Sequence, residues 1–261
     1  MKALSPDANG LSRAATAPGA GRAHRAGMTT THASPPRIAG ALLTTAAVGF
    51  IAVFSYLAAA FGYPDVLDRP AAEVLPALLG GGASLRLVWV VYAGLPLALS
   101  LVAALVSFER QSWVFRAFGV AAGLSMSAGL ARWSTLQWSL AEQWAAAEVA
   151  AREALSARFD GLNLVLGNVV GEFLGEVSLA LWLVAVARSL AGRWVGRASL
   201  LLAALMLVGS LRNVTPLVQV ATDVTNGLLP VVLVWVGATW ALRWQPMGRR
   251  AESPPLAARG G

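Results

Sequence analysis

Two glutamates, Glu172 and Glu176, stand four residues apart in GNVVGEFLGE, inside a run that is otherwise Leu, Val, Phe and Gly. Residues four apart share one face of an α-helix. Two carboxylates on one face of an apolar helix can hold a proton between them, bind a cation, or line a path for a small solute. Each should cost about 2.5–3.5 kcal/mol at the centre of a membrane helix, with Asp as the guide. Thirteen Leu, Val or Phe residues between 162 and 185 return roughly 0.3–0.6 kcal/mol each. The helix is marginal alone and needs neighbours. Asn168 extends the polar strip one α-turn earlier. Partners for the strip are expected among Arg132, Arg212, Gln219, Asp223 and Asn226, with Arg132 the foremost. Burial and mutual repulsion predict a pair in which at least one carboxyl keeps its proton.

Other chemistries are excluded by what the chain lacks. It has no cysteine, and its two histidines, His24 and His32, lie in the N-terminal tail. Thiolate catalysis, iron–sulfur ligation, haem ligation and Cys- or His-based zinc sites are thereby removed from the apolar body. There is no GxSxG elbow and no Gly-x-Gly-Asp motif. No metal, no cofactor and no catalytic residue is expected. The net charge of +7 comes from Arg at the ends of apolar runs, without aromatic interleaving, so no nucleic-acid partner is expected either.

The elements that must position the two glutamates follow from composition. Hydrophobic residues make up 57% of the 261 and charged ones only 13%, against about 25% charged in soluble domains. Six apolar runs occupy 38–60, 87–106, 113–130, 162–187, 195–211 and about 224–242. Each approaches the ~20 residues that cross a bilayer core. The beginning of the sixth is blurred by the polar TDVTNG at 222–227. With the N-terminus inside, inner segments hold 14 Lys and Arg and outer segments 6, which places both termini in the cytoplasm. The expected fold is all-α, a polytopic bundle of six transmembrane helices in a bacterial plasma membrane, spanning 38–243. Residues 1–37 and 244–261 are expected to be disordered tails, and Met28 would also serve as a start. Trp89, Trp113, Trp133, Trp194 and Trp244 are expected at the membrane interfaces.

Two outer segments carry patterns of their own. Within 62–85, Pro70, Glu73 and Gly80–Gly82 mark the start, first turn and end of a short helix. Within 134–160, Leu136, Leu140, Trp144, Ala147, Ala151 and Leu155 form one stripe, the mark of a short amphipathic helix on the outer surface or of a cover over the bundle. Two small-residue ridges repeat every four residues: Gly119, Gly123 and Ser127 in the third run, and Gly167, Gly171 and Gly175 in the fourth. Such ridges let backbones approach closely, so these two helices are expected to pack ridge against ridge.

Three stretches together resemble a bacterial integral-membrane family known as domain of unknown function 4386. They are FGYPDVLDRPAAEVL at 61–75, GLARWSTLQWSLA at 129–141 and LNLVLGNVVGEFLGEVSLALW at 162–182. The resemblance covers about 38–243, implies a bundle of about six helices, and matches Asp65, Arg132, Glu172 and Trp182 to family positions. Where that family often has Pro after the Arg-Trp pair, this chain has Ser134–Thr135–Leu136–Gln137. Two readings of function stand. One is a non-catalytic multi-pass protein, a sensor or an accessory to another membrane system. The other is a small-solute or proton-coupled carrier using the buried carboxylates. Expected partners are the lipid bilayer, a second copy or another membrane protein, and a small solute or proton.

Overall fold

The computed structural model describes residues 36–106, 112–190, 193–212 and 214–243. Residues 1–35 and 244–261 of the expected tails, Trp244 among them, lie outside these, whereas Pro36 and Arg37, expected in the N-terminal tail, are helical. The described residues are helical throughout, with no strand among them. In chain order they form α1 (Pro36–Phe61), a 3₁₀ turn (Asp65–Asp68), α2 (Ala71–Gly80), α3 (Gly82–Leu105), α4 (Ser112–Ser134), α5 (Leu136–Ala146) and α6 (Val149–Leu162). Then come a π-helical segment (Asn163–Leu174), α7 (Gly175–Ser189), α8 (Trp194–Gly209), a 3₁₀ turn (Pro216–Val218) and α9 (Gln219–Arg243).

All six apolar runs fall on helices. Among the described residues four helices are long and apolar enough to cross a membrane: Arg37–Phe61, Gly82–Leu105, Val149–Ser189 and Gln219–Leu242. The long helices form a closed ring in which α1 meets α3, α3 meets α4, α4 meets the π segment and α7, α7 meets α8, α8 meets α9, and α9 returns to α1. Their outward faces are apolar, with Ile51, Leu87, Leu101, Leu124, Val165, Leu201 and Val231 all exposed. An apolar belt that large is what a bilayer covers.

The fourth run is longer than its apolar core suggested. Val149–Ser189 is one helix of 41 residues, roughly 60 Å at 1.5 Å per residue, about twice the hydrocarbon thickness. Its first part, α6, carries Arg152, Glu153, Arg158 and Asp160. The 134–160 stripe is therefore not one helix. It breaks at Ala147–Glu148 into α5 and α6, both of which pack against α2. Leu140, Trp144 and Leu155 are buried as the stripe requires, while Leu136 and Ala151 are exposed. The stripe is thus kept only in part on either side of the break. The short helix of 62–85 is α2, with Pro70 as its N-cap, Glu73 in its first turn and Gly81 beyond its end.

Two apolar cores result. One joins α1, α3, α4, α7, α8 and α9. The other joins the end of α1, the 65–68 turn, α2, the start of α3, Trp133, α5 and α6. Trp89 and Trp133, expected at an interface, are instead fully buried in the second core. Their rings stack at 4.9 Å, with Phe61 edge-on to both. Ring burial and stacking outweigh the interfacial preference of an indole. Trp113 and Trp194, near the starts of α4 and α8, are 76% and 72% exposed.

The expected ridge-on-ridge pairing is corrected in its register. On α4, Ser127 donates to the Ala93 carbonyl of α3 at 2.7 Å. A Cβ at Gly123 would strike Ser100 and Pro96 of α3, and one at Gly119 would strike Ala103 of α3 and Trp182 of α7. The Gly119–Ser127 ridge thus faces mainly α3. The fourth helix meets α4 through Met126, Gly129 and Arg132, which lie opposite Gly175, Gly171 and Gly167. Rows spaced by three and by four drift in opposite senses around a helix. The 119–123–127 row therefore turns towards α3, and the 126–129–132 row towards the fourth helix.

Candidate functional site

Between the two cores lies a cavity of about 290 Å³. The π segment and the start of α7 supply Gly167, Gly171, Glu172 and Glu176. Helix α9 supplies Gln219, Thr222, Asp223, Thr225 and Asn226. The 3₁₀ turn supplies Asp65 and Asp68, and α4 supplies Arg132. Arg212 follows the end of α8. Phe50, Phe54, Tyr63 and Tyr92, from α1, the chain just after it and α3, make an aromatic wall. Five carboxylates thus face two guanidinium groups.

The central contact is a forked ion pair. Arg212 donates from Nε to Glu172 Oε2 at 2.9 Å and from Nη2 to Glu172 Oε1 at 2.6 Å. This corrects the expectation that Arg132 holds the glutamate pair. Arg212 stands in the turn that closes α8, where its N–H bonds to the Gly209 carbonyl, and from there its side chain reaches the π segment. Arg132 points elsewhere. It is only 5% exposed, donates from Nε to Asn163 Oδ1 at 3.3 Å, and donates from Nη1 to the Gly129 carbonyl. Gln137 of α5 donates to the same Asn163 oxygen. Asn163 is thus the acceptor that locks Arg132 in place.

The π geometry decides which residues of the fourth helix see the cavity. Its hydrogen bonds run i→i+5, as from Gly175 N to the Val170 carbonyl. Gly167, Gly171, Glu172 and Glu176 are the residues of this helix that line the cavity. Asn168, half-buried, is accordingly not among the lining residues. The polar strip expected from α spacing loses that member. A Cβ at 167 would lie 2.8 Å from Arg132 Nη2, so a larger residue there would push the guanidinium aside. Glu176 faces the cavity without a hydrogen bond or ion pair to any described residue.

Asp223 and Asn226, uncertain from the sequence, belong to α9, which begins at Gln219. Gln219 Nε2 donates to Asp223 Oδ1 at 2.9 Å. Thr222 donates to the Gly209 carbonyl at 3.1 Å, tying α9 to the end of α8. The structure therefore brings Glu172, Glu176, Arg132, Arg212 and Asp223 of the expected site together. The aromatic wall, Asp68, Asn163 and Gln137 carried no signal that spacing could show, because tertiary contact alone unites them. Burial raises the Tyr63 hydroxyl above its usual value of 10, and the Glu172 charge pushes it the same way. Tyr63 is therefore a neutral group at the cavity wall. Among the described residues no group of His, Cys, Asp and Glu is arranged to hold a metal ion.

Chemically, the site offers paired and unpaired charges, hydroxyls and amides around a space open enough for a small molecule. No family model, no curated protein and no solved structure matches the chain.

Proposed function

We propose that the chain is a six-span bacterial plasma-membrane protein, non-catalytic, which binds a small polar solute in the cavity beside Glu172 and Glu176. The observation that carries this reading is the cavity itself. It lies inside an apolar-faced bundle, yet the half-buried Glu172 and Glu176 stand in its wall, joined by the exposed Asp65, Asp68 and Asp223, and of these five Glu172 alone has an ion pair among the described residues. At about 290 Å³ it sits at the small end of the range for ligand pockets. Placing charge there is costly, and intramembrane charge marks solute or ion pathways. The ring of six helices supports the count. The excess of Lys and Arg supports cytoplasmic termini. Reporter fusions after Gln111 and Ala191 should behave as cytoplasmic, and a periplasmic signal at either would overturn the topology.

The absence of cysteine makes access directly testable. In sealed vesicles, Glu176→Cys should react with a membrane-impermeant cationic methanethiosulfonate added from outside. It should react more slowly with the anionic sulfonate analogue, because the carboxylate-lined cleft concentrates cations. Leu183→Cys, in the packed core, is the control. Equal reactivity at the two positions, or none at Glu176→Cys, would sink the solute-site reading.

One observation favours transport over sensing. A second, apolar cavity of about 50 Å³ shares Phe50, Met126 and Leu229 with the polar one and is lined by Pro96 and Pro230. Both prolines lie inside helices, where the missing N–H weakens the backbone ladder and permits bending. Three apolar side chains between two hinged helices would form a movable plug. Proteoliposomes should take up the solute if so, and a protein that binds without uptake is a sensor.

A further inference from the structure

We infer that the ligand of this cavity is a zwitterion whose two charges are several bonds apart, with its carboxylate on Arg132 and its ammonium beside Glu176. The inference rests on the solute-site reading above and specifies its chemistry. Arg132 is the starting observation. It is 5% exposed, lines the cavity, and has no carboxylate within ion-pair distance among the described residues. Its Nε and Nη1 are committed to Asn163 and the Gly129 carbonyl. Nη2 donates to no described residue. A buried guanidinium without a counter-ion is expensive, and an anionic ligand group facing Nη2 would relieve that cost.

Glu176 is the opposite case, a carboxylate facing the same cavity with no described partner. The Glu172–Arg212 pair lines the same cavity. Arg132 lies at the level of Gly167, and Glu176 is nine residues further along the same helix. Nine residues rise roughly 13 Å in an α-helix, less in a π segment, and both side chains reach inward to shorten the gap. An α-amino acid, whose charges are adjacent, cannot touch both groups. An extended ω-amino acid can. The wall formed by Phe50, Tyr63 and Tyr92 suits an alkyl spine and an ammonium that lies over aromatic faces.

Calorimetric titration of the full chain in nanodiscs tests this with four probes: 5-aminopentanoate, pentylamine, pentanoate and glycine. The first should bind at least about tenfold more tightly than each of the others, since each lacks one charge-assisted contact or the span to make both. Arg132→Gln should bring 5-aminopentanoate down to the affinity of pentylamine and leave pentylamine unchanged. Glu176→Gln should bring it down to that of pentanoate. If Arg132→Gln fails to insert, the Glu176→Gln arm and the four-probe ranking on the unaltered protein still decide. Pentylamine or glycine binding as tightly as 5-aminopentanoate would overturn the inference. So would failure of all four to bind a protein whose Glu176→Cys form is labelled from outside, an outcome that leaves the solute site standing. Failure of labelling removes the site itself.

Discussion

Gly129→Ala should destabilise the bundle by about 3 kcal/mol, at the upper end of the range for overpacking. A Cβ at 129 would lie 2.5 Å from the Gly171 Cα and 3.0 Å from the Leu166 carbonyl oxygen. Both obstacles are backbone atoms, so no side chain can swing aside, and α4 must move away from the π segment. Gly171→Ala should cost less, because its nearest atoms are at 3.0 and 3.1 Å. Gly94→Ala and Gly227→Ala supply the contrast, with nothing within 4 Å of either new Cβ. Helix propensity alone should then make them neutral or stabilising by up to about 1 kcal/mol. Thermal melting of the four variants in detergent checks the order. If Gly129→Ala melts with Gly227→Ala, the close seam between α4 and the π segment is wrong.

Arg212→Gln should be the most damaging change among the polar residues of the cavity. Removing one partner of a buried pair costs about 3–5 kcal/mol, because the other charge is stranded. Here the side chains of Arg212 and Glu172 keep 16% and 23% of their exposure, which places the expected loss at the lower end, about 3 kcal/mol. Arg212→Lys should recover only part of it, since an ammonium cannot make the two-pronged contact. The double variant Glu172→Gln with Arg212→Gln should melt higher than Arg212→Gln alone, as no charge remains unpaired. A double-mutant cycle measures the coupling. A value near zero would mean that solvent in the cavity screens the pair and that it does not hold the α8–α9 connection to the π segment.

Much of the architecture is legible in the sequence. Hydrophobic runs near the length of a bilayer core leave few alternatives to helices, because a backbone in lipid must satisfy its own hydrogen bonds. All six runs are therefore helices, and the Pro70–Glu73–Gly80 signals delimit α2, since capping chemistry is local. The neighbourhood of Glu172 and Glu176 was legible for a similar reason: carboxylates in an apolar run must face inward.

Tertiary structure decided everything that depends on which faces meet. Arg132 and Arg212 are equivalent as sequence, each an arginine at the end of an apolar run. The acceptor on Asn163 captures one, and the turn closing α8 delivers the other to Glu172. The glycine ridges announced close packing and left its partner open, because a row spaced by four and a row spaced by three on one helix face different neighbours. In the π segment Gly167 lines the cavity and Asn168 does not, a winding that no α periodicity contains. Trp89 and Trp133 likewise look like interface residues to any reading of span ends, and become a buried stack only once α3 and α4 lie side by side. Composition and spacing determined that charge is buried in this chain; which charges face one another was settled by the packing of helices far apart in sequence.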